Sequence, residues 1–340
     1  MGNSKTILIT GGAGFIGHHL VEYYLKNTDY YICVLDSLSY ASRGLNRIRD
    51  INAYDDKRFT FFGYDMTQEM SSGMKQEIIR LNVEYIIHLA AETHVDNSIT
   101  HPEKFVLANV IGTMHLLNFA RELDTLKAFI YFSTDEVFGP APEGIAYKEW
   151  DRYNSTNPYS AAKAGGEELV LAWANTYKLP AFITHTMNAF GERQHFEKFI
   201  PMTIRNVLEG KPVIIHSNKE KTKSGSRFYI HCRNIASAVD FLITNKFSVR
   251  DKYNIVGEKE VSNLELAQFI ADTLGKPLNY EMVDFHSSRP GHDLRYALDG
   301  TKMKDLGWEP PMNFEQSLER TISWTVDRKE QWLSDSQKPV

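Results

Sequence analysis

The chain has 340 residues, enough for one large α/β unit with an appended lobe and for a sizeable buried core. Its 42% hydrophobic and 24% charged residues are ordinary for a globular protein, and the net charge of −5 excludes a basic field for nucleic acid. No apolar run is long enough to span a membrane, and the two cysteines, Cys33 and Cys232, cannot form a disulfide framework.

Residues 5–10, Lys-Thr-Ile-Leu-Ile-Thr, form a short apolar, β-branched run that predicts a buried parallel strand. No signal-like segment precedes it, so a cytoplasmic, reducing compartment is expected. Gly11-Gly12-Ala13-Gly14-Phe15-Ile16-Gly17 follows at once, and an amphipathic stretch to about Lys26 predicts a helix. Gly11 permits a tight turn, Gly14 lets the backbone approach a pyrophosphate, and Gly17 lets helix and strand pack closely. The helix N-terminus offers free N–H groups and partial positive charge to an anion. A second strand, Tyr30–Leu35, ends at Asp36, about 20 residues beyond the glycines, where an acid hydrogen-bonds an adenosine ribose. Asp36 would repel a 2′-phosphate, so NAD is expected rather than NADP.

Strands and helices then alternate. Arg58–Gly63, Val83–His88, Leu126–Phe132 and Ala181–Thr186 predict strands, with a helix between the first two, another within His101–Arg121, and one over Tyr159–Tyr177. That βαβ rhythm predicts an α/β fold with a Rossmann-like, doubly wound parallel sheet. After about Met187 the rhythm breaks. Shorter strands (Val213–His216, Tyr253–Val256) mix with helices near Pro201–Leu208, Asn234–Thr244 and Asn263–Leu274. The expected organisation is a dinucleotide-binding unit over 1–186, an interwoven substrate-binding lobe over 187–330, and a tail over 331–340. Cys33 lies in a predicted buried strand and is expected to pack rather than react.

Tyr159 and Lys163 read Tyr-x-x-x-Lys and share one helix face. Lys163 can lower the phenol's pKa, and the phenolate can take a hydroxyl proton while hydride leaves. Ser133-Thr134-Asp135-Glu136 ends the preceding strand. Simple hydride transfer needs only the dyad. A reaction that also eliminates water needs the additional acid and base that Asp135 and Glu136 can supply, although an Asp-Glu pair by itself is often a solvated loop or a cap.

The glycine fingerprint, Ser133 and Tyr159–Lys163, in that order, resemble the extended short-chain dehydrogenase/reductase family. Within it the chain resembles the nucleotide-sugar 4,6-dehydratases. The matching stretches are Thr10–Gly17, Leu35–Ala41, His88–Ser98, Ser133–Gly139, Pro158–Ala164, Glu197–Pro201 and Arg289–Ala297. The resemblance implies oxidation at C4 of a hexose, which acidifies the C5 proton. It assigns Glu136 as the base for that proton, Asp135 as the acid for the departing C6 hydroxyl, and Thr134 as the partner of the C4 oxygen. It places Gly11, Gly14, Phe15, Ile16, Gly17, Asp36, Ser37, Ser39, Asp65, Met66, Leu89, Ala90, Ala91, Thr93 and Ser133 around NAD, beside Tyr159 and Lys163. Thr93, Asn188, Glu197, Lys198, Arg227, Arg289 and His292 would meet the sugar nucleotide. A homodimer through a four-helix bundle, using helices near 101–121 and 159–177, is also implied.

Two departures fall in the nucleotide region. Asn188-Ala189-Phe190-Gly191-Glu192 stands where the family carries Asn-Asn-Tyr-Gly-Pro, and Gly225 stands where an Arg precedes Tyr229 by four, Arg227 preceding it by two. They leave UDP-N-acetylglucosamine, UDP-glucose or a GDP-sugar open as substrate, and a 4-epimerase open as the alternative that Asp135-Glu136 argues against. His18-His19 and His94/His101 lack a ligand pattern, so no metal is expected.

Overall fold

The computed structural model describes residues 5–285 and 294–334. Seven strands form one parallel sheet in the order β11-β6-β5-β4-β1-β2-β3. They are β1 (Thr6–Thr10), β2 (Tyr31–Asp36), β3 (Phe59–Gly63), β4 (Val83–His88), β5 (Ala128–Thr134), β6 (Ala181–Thr186) and β11 (Lys252–Ile255). The Rossmann-like expectation holds. Short strands β7 (Ala189–Phe190), β8 (Val213–Ser217), β9 (Ser226–Phe228) and β10 (Ile230–His231) lie outside the sheet, as do β12 (Glu260–Ser262) and β13 (Tyr280–Asp284). The sheet thus takes its seventh strand from beyond residue 187, so the lobe is threaded through the first unit.

Alternate side chains of β1 face opposite layers, as strand geometry requires. Ile7 and Ile9 pack with Leu20 and Val21 of α1 (Phe15–Asn27) and with Ile235 and Val239 of α9 (Cys232–Phe241). Leu8 and Cys33 pack in the other layer with Leu116 and Val170, from α6 (Gly112–Ala120) and α7 (Pro158–Thr176). Burial pushes the Cys33 thiol up, which fits a packing role. A smaller core in the lobe joins α8 (Phe199–Glu209), α10 (Asn263–Thr273) and the helix Phe314–Asp327.

Three boundaries differ from the sequence reading. β5 runs on through Ser133 and Thr134, which pair with His185 and Thr186 and are buried. The predicted helix within 101–121 is α5 (Pro102–Val106), a π-helical turn at Leu107–Ile111, and then α6. Trp332 and Leu333, at the start of the expected tail, are buried.

The chain runs from β1 outward to β2 and β3, then returns to β4 on the other side of β1. The carboxyl ends of β1, β2 and β4 are level, with Thr10 paired to both Leu35 and His88. Their ends form the crevice of a topological switch point, where open α/β sheets bind ligands.

Candidate active site

The turn after β1 has no room for side chains. Gly11 has φ +70°, and a Cβ there would lie 2.7 Å from the Ala90 nitrogen. A Cβ on Gly17 would lie 2.1 Å from the Gly11 carbonyl. Gly14 begins α1 with no side-chain cap, which leaves its first N–H groups to an anion. Phe15 and Ile16 are half-buried in that first turn. This cradle fits a dinucleotide pyrophosphate.

Asp36 closes the crevice from β2. Its carboxylate accepts from the Ala13 N–H at 2.9 Å and the Leu38 N–H at 2.8 Å. Burial raises its pKa, and those N–H groups oppose the rise. Ser37 is exposed and Ser39 half-buried in the following loop. Asp65 and Met66 follow β3, whose Gly63 pairs with Asp36. Asp65 is exposed and accepts from the Thr67 N–H at 2.9 Å, so it also makes a local turn. On the other flank the Ala90 N–H donates to the Thr10 hydroxyl at 3.2 Å. Asn109 in the π-helical turn exchanges hydrogen bonds with the backbone of Glu92 at 2.9 and 3.0 Å. It thereby holds the loop carrying Leu89, Ala90, Ala91 and Thr93, with Thr93 exposed. π-bulges are often found at functional sites.

The reactive groups sit at the end of β5 and the start of α7. Thr134 Oγ1 donates to Asp135 at 3.0 Å and accepts from the Glu136 N–H at 3.4 Å, capping a short 3-10 turn over Asp135–Phe138. Asn157 caps α7 and donates to Glu136 Oε2 at 3.1 Å. Burial pushes Asp135 up to about 6. Burial and then the Asp135 charge push Glu136 up to about 7. Both carboxyls titrate near neutrality, where one can hold a proton while its neighbour is ionised. Ser133, Thr134, Asp135, Tyr159 and Lys163 are all buried.

Lys163 takes partners other than the Tyr159 phenol. Lys163 was expected to depress the Tyr159 pKa. Instead its ammonium donates to the Phe132 carbonyl at 2.5 Å and sits over the Tyr131 ring at 4.2 Å. Burial, Glu136 and Asp135 push the Tyr159 phenol well up, and only Thr134 pulls it down. Burial also lowers Lys163 to about 7.

A family model of GDP-mannose 4,6 dehydratase matches residues 8–321. The chain belongs to that dehydratase family. The dTDP-glucose 4,6-dehydratase of Salmonella typhimurium is 35% identical, over 97% of this chain and 94% of that protein. The trifunctional UDP-glucose 4,6-dehydratase/UDP-4-keto-6-deoxy-D-glucose 3,5-epimerase/UDP-4-keto-L-rhamnose-reductase of Arabidopsis thaliana is 35% identical over 96% of this chain and 48% of that protein. The crystal structure of DesIV, a dTDP-glucose 4,6-dehydratase from Streptomyces venezuelae with NAD and TYD bound, superposes with a TM-score of 0.85 at 32% identity, covering 98% of this chain and 100% of that one.

The lobe brings two cations to this dehydratase carboxylate pair. Arg227 lowers the pKa of both Asp135 and Glu136, and Lys198 lowers that of Glu136. Arg227 is held on β9 by donating to the Ser226 and Leu294 carbonyls and by stacking on Tyr296. Asn188 has φ +39° and accepts from the Ile230 N–H at 3.3 Å. Glu197 is exposed and pairs with His195 at 3.4 Å. Arg289 and His292 lie outside the described residues.

Both departures from the family pattern have local causes. Glu192 is buried, accepts from Arg233 at 3.0 Å, and lies 3.1 Å from His231, while its carbonyl bonds His19 at 3.0 Å. It ties α1 to α9. A Cβ on Gly225 would lie 2.9 Å from the Leu294 carbonyl, so a long side chain does not fit there. Arg227 stands two residues later, on β9.

Several site residues escaped the sequence reading. Asn157 precedes Pro158, a recognisable helix-start signal. Glu167 continues the Tyr159, Lys163 spacing by four. Arg47 is fully buried, donates to the Ala13, Ala41 and Arg193 carbonyls, and acts electrostatically on Asp36. Nothing in its surrounding sequence signals this. Among the described residues no cluster suits a metal ion.

Proposed function

We propose that this chain is an NAD-dependent nucleotide-sugar 4,6-dehydratase, a hydro-lyase that converts an NDP-hexose to the NDP-4-keto-6-deoxyhexose, with dTDP-glucose as the first substrate to test. The observation that carries the reading is the buried Asp135–Glu136 pair, titrating near neutrality beside Tyr159 and Lys163. Bound NAD supplies the hydride acceptor for C4 and later the donor for C6. Gly11, Gly14 and Gly17 admit its pyrophosphate, and Asp36 receives its adenosine ribose. Tyr159 takes the C4 hydroxyl proton, with Thr134 hydrogen-bonded to the same oxygen and Lys163 holding the nicotinamide ribose. Glu136 removes the C5 proton and Asp135 protonates the departing C6 hydroxyl. Arg227 and Lys198 favour the ionised carboxylate, and with Asn188, Arg289 and His292 they meet the nucleotide sugar. The related names pair one reaction with GDP-, dTDP- and UDP-sugars, so the base is the part that experiment must assign.

We infer a homodimer built on α5, α6 and α7. Val106 and Leu107 are 48% and 46% exposed there, and an apolar bundle would cover them. Analytical ultracentrifugation of Leu107→Glu, which should be monomeric, tests it. A cytoplasmic location fits two free buried cysteines and a nucleotide-linked substrate. No helix among the described residues is long and apolar enough to cross a membrane. Incubation with a panel of nucleotide sugars, followed by mass spectrometry for loss of one water, tests the function.

A further inference from the structure

We propose that Glu167 is a positioning residue for Tyr159 and Lys163: it locks the helix that carries them to the strand that ends in Ser133-Thr134-Asp135-Glu136, and its buried negative charge acts on Lys163. The inference rests on reading Tyr159 and Lys163 as the redox pair.

Tyr159, Lys163 and Glu167 recur every four residues on α7 and so project from one face. Three consecutive residues of β5 are bonded to that face. The Tyr131 hydroxyl donates to the Lys163 carbonyl at 3.3 Å. The Phe132 carbonyl accepts from Lys163 Nζ at 2.5 Å. The Ser133 hydroxyl donates to Glu167 Oε1. Helix and strand approach so closely that a Cβ on Gly166 would lie 2.2 Å from the Tyr131 hydroxyl. The Ser133 bond fixes the residue next to Thr134, so a loose Glu167 would shift Thr134, Asp135 and Glu136 against Tyr159.

Glu167 has no exposed surface, and its charge is met from several elements. Oε2 accepts from the Tyr153 hydroxyl, lies 3.3 Å from His185 Nε2 on β6, and lies 3.4 Å from Lys252 Nζ on β11. Lys252 in turn donates to Tyr153. The His185 ring is oriented by Asn254 at 2.9 Å. Against burial, these partners hold Glu167 down at about 2, so it stays ionised at working pH. Lys163 feels burial downward and Glu167 upward. Without that carboxylate, burial alone would neutralise Lys163 at lower pH.

The test uses lysine-labelled protein and ¹³C NMR to follow the titration of Lys163, its signal identified by loss in Lys163→Met. Glu167→Gln should move that titration down by about one pH unit. Ser133→Ala, which keeps the charge and removes the crosslink, should leave the titration in place and slow transient NADH formation roughly 10- to 100-fold. If Glu167→Gln does not fold, Glu167→Asp takes its place and should behave like Ser133→Ala. An unmoved Lys163 titration in Glu167→Gln, or NADH formation at the wild-type rate in Ser133→Ala or Glu167→Asp, overturns the proposal. If wild-type protein forms no NADH with any nucleotide sugar, the dehydratase reading fails, while the Lys163 titration still decides whether Glu167 acts on it.

Discussion

Asn157 donates to Glu136 at 3.1 Å and caps the helix that begins one residue before Tyr159. One side chain therefore sets the position of the candidate base and of the candidate redox phenol. The Asn157 hydrogen bond also holds the Glu136 pKa below where burial and Asp135 would take it. Asn157→Ala should cost about 1 kcal/mol of stability through the lost cap. It should also raise the Glu136 pKa, moving the acidic limb of C5 hydrogen exchange to higher pH. A pH profile of solvent-deuterium incorporation at C5 checks this, and an unmoved limb counts against it.

Asp36 braces the glycine turn through Ala13 and faces the same crevice, so its loss should weaken NAD twice over. Asp36→Ala should reduce NAD affinity by about 1.5–3 kcal/mol, the range for a hydrogen bond to a charged group. Calorimetry that finds NADP bound more tightly than NAD by the wild-type protein would sink the assignment.

Tyr159→Phe should form no transient NADH, because nothing takes the C4 hydroxyl proton. Glu136→Gln should still oxidise C4 but exchange C5 hydrogen about 10²–10⁴-fold more slowly. Asp135→Asn should exchange at C5 and lose water slowly. Rapid-quench analysis separates these steps, and wild-type dehydration by both carboxylate variants removes the chemical argument.

Stability should fall as pH drops below about 6.5, the ordinary histidine value. His88 is lowered from 6.5 to about 3 by burial, and His18 and His19 are lowered as well. Below 6.5 the unfolded chain binds protons that these folded histidines refuse. Glu136 acts oppositely, since its folded pKa is raised from 4.5 to about 7 and its protonation favours the fold. Asp135 does the same, rising from 3.8 to about 6. The His88 shift exceeds that of either carboxyl, and His18, His19 and His231 are lowered in the same sense, so the histidines win. Below about 4.5 Glu167 adds to the loss, its folded pKa lying at about 2. Urea midpoints should decline from neutral pH downward, and a flat or rising profile contradicts the balance.

Much of this was legible in the sequence because the glycine turn and Tyr159–Lys163 are local. Gly11, Gly14, Gly17 and Asp36 lie within one βαβ unit, and their spacing carries their geometry. The predicted strand stops at Phe132, yet pairing with β6 carries Ser133 and Thr134 inside it. The burial of Glu192 and Glu167 has no local signal. Their partners, Arg233 and Lys252, are 41 and 85 residues away and become neighbours only through the sheet. The Lys163 contact has the same origin, since sequence shows the helix face but not the Phe132 carbonyl that accepts from the ammonium.

The most direct test is incubation of the wild-type protein in deuterium oxide with dTDP-glucose, UDP-glucose, UDP-N-acetylglucosamine and GDP-mannose. The account predicts that one of them loses a single water, gains deuterium at C5, and leaves NAD unchanged at the end. A C4 epimer of unchanged mass, with no deuterium at C5, would contradict it.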